Sequence, residues 1–341
     1  MNKNSEEILS LNLKENNNLE IKYFNEKNNN MFKKTPNNRK IRNPSVDLIR
    51  LIAMYGIIIN HILYRGQGIY KYSKYQRQLK LFHIILFWHN NAFALISGVV
   101  GYKTNKYSNL LYLWFYVVFY SVGIHLYFLK FSHNSNIGIS LYKEFFPVIF
   151  ERYWYFTAYF GMYLFVPAIN KGISLLTKSE LKIMVISILG IFAFWRDFLI
   201  PSNDIFHLNS GNSVLWILIV YITGAYIGKY RVEYTGIKKC LFCLNCLFAY
   251  FFSTFLFYKS INNQIYTGNE YYKRKFVIII NQILTERYDS ILKIVQSISI
   301  TLFLLQIKFN KYLTKIITFL GPLAFGIYLI HNNLNDNNTS F

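Results

Sequence analysis

Residues 43–64 read N-P-S-V-D-L-I-R-L-I-A-M-Y-G-I-I-I-N-H-I-L-Y, an apolar run broken by three ionisable residues, Asp47, Arg50 and His61. At about 1.5 Å per residue, a helix of about 20 residues crosses the hydrocarbon core of a bilayer, so the run is long enough to span. At about 100° per residue the three polar side chains fall within about 60° of one another, on one stripe that also carries Met54. Arg50 lies one turn past Asp47, and His61 about 16 Å further along the axis. Each such group in lipid costs about 2.5–3.5 kcal/mol on insertion scales, so the stripe is expected to face protein or a water-filled cavity. A second reading makes Asp47 and Arg50 anchors at a helix end and His61 an interfacial polar residue.

Similar runs recur along the chain, at about 81–102, 110–131, 151–170, 181–199, 214–230, 241–257, 291–309 and 316–334. The 275–287 segment is apolar for only about ten residues and reads as interfacial or re-entrant. With 31 Phe and 29 Tyr distributed through these runs and towards their ends, the composition suits a multi-pass membrane protein with interfacial aromatic belts. The expected fold is an all-α transmembrane bundle of about nine or ten spans. The net charge of +21 does not indicate nucleic-acid binding, because the lysines sit in short loops and form no single basic face. Membrane lipid is the expected partner. Cys240, Cys243 and Cys246 are spaced like part of an iron–sulfur run, but the fourth cysteine is absent and the segment is apolar. They read as packing residues, and no metal site is expected.

Residues 1–43 are rich in Asn, Lys and Glu and form an expected disordered tail, with Met31 an alternative start. No cleavable signal pattern precedes the first run, which should act as a signal anchor. Lys33, Lys34, Arg39, Lys40 and Arg42 favour a cytosolic N-terminus. The loop after the first run also carries Arg65, Lys71, Lys74, Arg77 and Lys80, which blurs the charge asymmetry. A single membrane domain should occupy 44–334, followed by a polar tail at 335–341.

Other runs carry polar side chains where a membrane helix should not need them. His89 and Asn90 lie in the middle of the second run and require partners, while His83 lies nearer its edge. Ser97 and Gly98 suit close helix packing or a cleft. Lys103 and Lys106 follow, and His125 reads as a packed or interfacial histidine. In the 151–170 run, Tyr155, Tyr159 and Tyr163 recur at helical spacing beside Trp154. That aromatic face fits a sugar-binding cleft or interhelix packing equally well. Pro167 should end or kink this helix. Trp195-Arg196-Asp197 places an ion pair at a helix end, and Gly224 with Gly228 forms a G-x-x-x-G contact.

Four of these stretches also resemble a known family. The Asp47–Arg50–His61 spacing, the F-A-L-I-S-G of 93–98, the W-Y-F…Y…Y-L…P-A-I-N of 154–170 and the G-I-Y-L-I-H of 326–331 are similar, in that order, to motifs of the acyltransferase-3 integral membrane O-acyltransferases. Many members carry arginines where Lys103 and Lys106 stand. The resemblance implies transfer of an acyl group, acetyl first among them, from acyl-CoA as co-substrate to a hydroxyl of a carbohydrate or glycolipid, without a bound cofactor. It implies His61 as general base with Asp47 supporting Arg50, donor contacts from Arg50, Lys103 and Lys106, and an acceptor cleft of His89, Asn90, Ser97, Trp154, Tyr155 and Tyr159. Typical members continue further after the last motif, so the last span is expected to be shortened. The rival readings are a proton-coupled transporter using the same stripe and an inactive relative. Substrate flux without thioester consumption separates the first of these from the enzyme.

Overall fold

In the computed structural model, residues 42–64, 73–131, 141–195, 197, 204–264 and 287–335 are described, and they contain helices and connecting segments but no strand. The described helices all belong to one unit, residues 43–341. α1 (Pro44–Tyr64) begins as its sequence demands. The Asn43 side chain accepts from the Ser45 N–H at 3.0 Å, Pro44 occupies the first helical position, and Asp47 faces the positive end of the dipole.

The second apolar run is two helices, α2 (Gln76–Leu86) and α3 (His89–Gly101), separated by a turn at Phe87 and Trp88. No Gly or Pro marks this break. Its cost is the set of carbonyls it frees inside the bundle, and neighbouring side chains satisfy them. The Ile84 carbonyl, left with a 3.4 Å bond from the Phe87 N–H, accepts from Lys293 Nζ (3.3 Å) and Gln296 Nε2 (3.2 Å), and Ile85 accepts from the Tyr250 hydroxyl (2.6 Å); the Trp88 carbonyl keeps its helical bond from the Ala92 N–H (3.1 Å) and accepts a second from Ser297 Oγ (3.4 Å). Tyr250 comes from α9 (Gly236–Gln264); Lys293, Gln296 and Ser297 come from α10 (Ile291–Leu305). Lys293, only 1% exposed, also lies 4.2 Å and 5.0 Å from the Phe257 and Phe87 ring centroids, which spreads its charge over two π faces.

α4 (Ser108–Phe131) and the short α5 (Leu141–Phe145) lead into α6 (Trp154–Leu175). Pro167 does not end α6, which continues for eight more residues. α7 (Lys178–Leu189) starts with a reciprocal Thr177–Glu180 capping box and runs into a π-helical segment, Gly190–Trp195. α8 (Val214–Tyr230) is apolar on nearly every side and accordingly buried. It runs parallel to α3 at backbone contact, since a Cβ on Gly98, Gly224 or Gly228 would collide with the Tyr221, Leu95 or Val99 carbonyl oxygen respectively. The G-x-x-x-G expectation therefore holds.

The last run bends at Gly321-Pro322 between α11 (Lys311–Leu320) and α12 (Leu323–Asn335). Taken together the pair offers 21 residues, Lys311–His331, long and apolar enough to cross, so the expectation of a span too short to cross is corrected. Among the described residues five helical segments reach that length: Pro44–Leu63, Gln76–Gly101, Ser108–Phe131, Gly236–Lys259 and Lys311–His331. α8 and α10 are apolar but shorter. Of the other expected runs among the described residues, α7, α8 and α10 are shorter than a span, and α6, though 22 residues long, is not among the helices apolar enough to cross. Other expectations also shift. Asp197 pairs with Arg287, at 2.6 Å, and Arg196 lies outside the described residues. Most of 275–287 and all of 1–41 lie outside them too. The three cysteines are free thiols along α9, Cys240 exposed and Cys246 buried.

The α3–α8 contact gives a direct test. Gly224→Val should cost at least the about 1–3 kcal/mol of an overpacked core, because backbone cannot yield as a side chain does. Gly123→Ala on α4, where a Cβ meets nothing within 4 Å, should be neutral or stabilising by about 0.5–1 kcal/mol. Thermal unfolding of the detergent-solubilised variants reads both.

Candidate functional site

The break between α2 and α3 places His89, Asn90 and Asn91 in the first turn of α3, deep in the bundle. The Asn60 side-chain N–H donates to His89 Nε2 at 2.9 Å, and the Asn60 carbonyl accepts from His83 Nδ1–H at 2.9 Å. His89 Nδ1–H then donates to Asn90 Oδ1 at 2.8 Å. Both bonds at His89 require the same neutral tautomer, protonated at Nδ1. His83 is thus part of the buried chain, although the sequence places it near an edge.

Beside this chain lies a cavity of about 210 Å³. α1 contributes Ile57 and His61, α3 His89 and Asn90, and α6 Trp154; Asn212, Tyr288 and Tyr328 complete the wall. The His61 ring stacks on His331 of α12, with centroids 5.0 Å apart and planes 16° from parallel. Four residues singled out in three separate runs, His61, His89, Asn90 and Trp154, therefore meet at one cavity.

Two of the wall residues, Tyr288 and Asn212, have no motif in the sequence to announce them. Tyr288 is held by a buried ionic cluster: Arg287 pairs with Asp197 (2.6 Å) and Asp289 (3.3 Å), and the Ile291 N–H donates to Asp197 at 2.8 Å. Burial raises the Asp197 carboxyl to about 6 against the pull of these donors. Asn212 follows a tight loop in which His207, Asn209, Ser210 and Gly211 all have positive φ. At Gly211, φ is +89° and a Cβ would lie 2.6 Å from that of Tyr288, so only glycine fits there. The Ser210 carbonyl accepts the Tyr288 N–H at 3.0 Å, and Asn91 Nδ2 donates to the Tyr288 carbonyl at 2.8 Å. Tyr328 belongs to the G-I-Y-L-I-H stretch, but its place beside His61 depends on the helix bend at Gly321.

Trp154 is positioned by another buried cluster. Glu144 accepts from Ser121 Oγ and forms two contacts with Arg152, at 3.2 and 3.1 Å, with His125 Nδ1 at 3.5 Å. His125 is indeed a packed residue, and its cluster fixes the chain immediately before Trp154.

The remaining expected site residues do not line the cavity. Asp47, 1% exposed, accepts from Arg50 Nη1 at 2.6 Å. It is pressed by the α11–α12 bend, where a Cβ on Gly321 would come within 2.6 Å of its own Cβ. Arg50 is partly exposed and lies within electrostatic reach of the Tyr159 hydroxyl. Ser97 Oγ donates within α3 to the Phe93 carbonyl, at 2.7 Å. Tyr155 stacks on Tyr159 and donates to the Asn90 carbonyl at 3.3 Å. A polar seam thus runs from Arg50 past Tyr159 and Tyr155 to Asn90. α3 is antiparallel to α1, so Lys103 and Lys106 lie beyond Ser97 at the Arg50 end, both exposed. Asn170, which closes the P-A-I-N motif, ties that loop down through the Gly101 (2.9 Å) and Thr104 (2.7 Å) carbonyls and accepts from the Tyr221 hydroxyl at 2.9 Å.

A helical membrane bundle with an imidazole-lined cavity is a setting for acyl transfer, and comparison with known families agrees. The acyltransferase-3 model, described as an acyltransferase domain, matches residues 43–334, and the chain belongs to this family of membrane acyltransferases. Comparison with curated proteins and with solved structures returns no match.

The Asp197 cluster carries a prediction about the cavity wall. Removing one partner of a buried ion pair costs about 3–5 kcal/mol, so Asp197→Ala should lower the thermal stability of the solubilised protein strongly. The Asp197→Asn, Arg287→Gln, Asp289→Asn triple variant, which neutralises all three members of the cluster, should recover much of that loss.

Proposed function

We propose that the protein transfers an acyl group, acetyl in the first instance, from acyl-CoA to a hydroxyl of a carbohydrate or glycolipid, with His61 as the general base. The observation that carries this reading is the meeting of His61 with His89, Asn90 and Trp154 at one cavity. As the acceptor oxygen attacks the thioester carbon, its proton passes to His61 and the carbonyl π electrons move to oxygen. The tetrahedral species collapses, the C–S bond breaks, and the CoA thiolate leaves and takes the proton from His61. Direct transfer requires no protein nucleophile. Trp154 and the tyrosines of α6 give the acceptor ring surfaces on which to stack.

Donor entry is assigned to the end of the bundle that carries Arg50, Lys103 and Lys106, with Asp47 holding Arg50 in place. This end is cytosolic, as the basic residues before α1 suggest. The planar guanidinium suits phosphate or carbonyl oxygens, and the seam from Arg50 to Asn90 suits an extended pantetheine arm.

Membranes carrying the protein should consume radiolabelled acetyl-CoA and label a glycan or glycolipid fraction. In the His61→Ala protein, transfer should fall by about 10²–10⁴-fold while insertion is unchanged. Thioester-independent flux across vesicles would instead identify a transporter. Arg50→Lys should raise the apparent KM for acetyl-CoA more than that for the acceptor, and Arg50→Ala should do so more severely. Unchanged donor dependence in both variants would make Arg50 a structural partner of Asp47.

A further inference from the structure

We infer that the side-chain amide of Asn90 is the donor that stabilises the developing oxyanion of the acyl group, and that the His83–Asn60–His89 chain exists to aim it. The inference rests on the acyl-transfer reading above and gives Asn90 a role distinct from holding the acceptor. The argument starts from the bonding capacity of each group. The Asn60 amide can only donate to His89 Nε2, which makes that nitrogen an acceptor and leaves the ring proton on Nδ1. That proton is given to Asn90 Oδ1, so the acceptor end of the Asn90 side chain is occupied. The end left over is Nδ2, which carries two N–H groups and has no hydrogen-bond partner among the described residues.

Asn90 lines the cavity while being 8% exposed. A buried amide with its donors uncommitted calls for an acceptor in the cavity. The required acceptor is an oxygen that bears little charge in the ground state and more in the transition state. The carbonyl oxygen of a thioester is of this kind, because the electrons of its π bond move onto it when the acceptor hydroxyl attacks. His61, on α1, lines the same cavity, so base and donor flank one space. Asn90 also lies in the first turn of α3, where the helix dipole is positive and adds to the stabilisation of a negative oxygen. His89, with its Nε2 lone pair engaged by Asn60, is in this arrangement an orienting group and leaves the proton transfer to His61.

Asn90→Asp keeps the size of the side chain and removes both donors. In the inserted protein, kcat for acetyl transfer should fall by about 10²–10³-fold, the loss typical for one oxyanion donor, with KM for acetyl-CoA within about threefold of wild type. Asn60→Leu, outside the cavity, leaves Asn90 intact but releases His89; a fall in kcat of about tenfold with KM held is expected, and this variant tests the chain even if Asn90→Asp does not insert. Wild-type kcat in inserted Asn90→Asp, or a loss confined to KM, would overturn the assignment; so would wild-type kinetics in Asn60→Leu. If the wild-type protein transfers acetyl and His61→Ala does not, these outcomes remove the Asn90 role alone. If the wild-type protein transfers nothing, the acyl-transfer reading falls and this assignment falls with it.

Discussion

Backbone carbonyls set loose at membrane depth must find donors, and the break between α2 and α3 makes the structure answer that demand. Lys293 and Gln296 on α10 and Tyr250 on α9 donate to Ile84 and Ile85, and Ser297 adds a second donor to Trp88. The break in turn is what brings His89 and Asn90 to the start of a helix inside the protein. A continuous helix through 76–101 would carry the same residues with their backbone groups spent internally. The polar residues of α9 and α10 and the polar residues of the cavity are thus two consequences of one interruption.

The second organising contact is the glycine-lined crossing of α3 and α8. It leaves no side-chain layer between the two backbones, so α3 cannot slide or rotate without collision. Trp216 on α8 donates to Asn91 Oδ1 at 2.9 Å, and Asn91 donates to the Tyr288 carbonyl. A rigid helix pair is thereby joined through one asparagine to the cavity wall. The ionic clusters around Asp197 and Glu144 do similar work at two other points of the wall, each fixing the chain next to an aromatic residue. Precision at the cavity comes from these supports, all of them away from the cavity itself.

The apolar runs and the ionisable stripe were legible because lipid imposes length and penalises charge. Residues 214–230 coincide with α8, and 108–131 differs from the expected run by two residues at its start. His61, His89, Asn90 and Trp154 stood out for the same reason: each is a polar or amphipathic group in an apolar context. The break at Phe87 and Trp88 was not legible, since its cause is a set of donors about 160 to 210 residues away, and no Gly or Pro announces it. Tyr288 and Asn212 were hidden because their positions are fixed by loop geometry and by the Asp197–Arg287 pair. Asp197 had a nearer basic neighbour in sequence, Arg196, and local spacing favoured that pairing. Arg50 and Asp47 were expected about 16 Å or more from His61 along α1, and the tyrosine seam that joins them to the cavity was not legible.

The order in which the chain is made gives one feature of α1 a further meaning. Its polar stripe is synthesised first, yet its covers come from the far end of the chain: Ser45 donates to the Ile307 carbonyl at 3.0 Å, Gly321 closes over Asp47, and His331 stacks on His61. Until α11 and α12 leave the ribosome, the stripe lacks the cover that Gly321 gives Asp47 and His331 gives His61. A nascent chain that stalls before residue 307 therefore leaves one side of this stripe uncovered. The first helix is thus covered by segments made some 260 residues later.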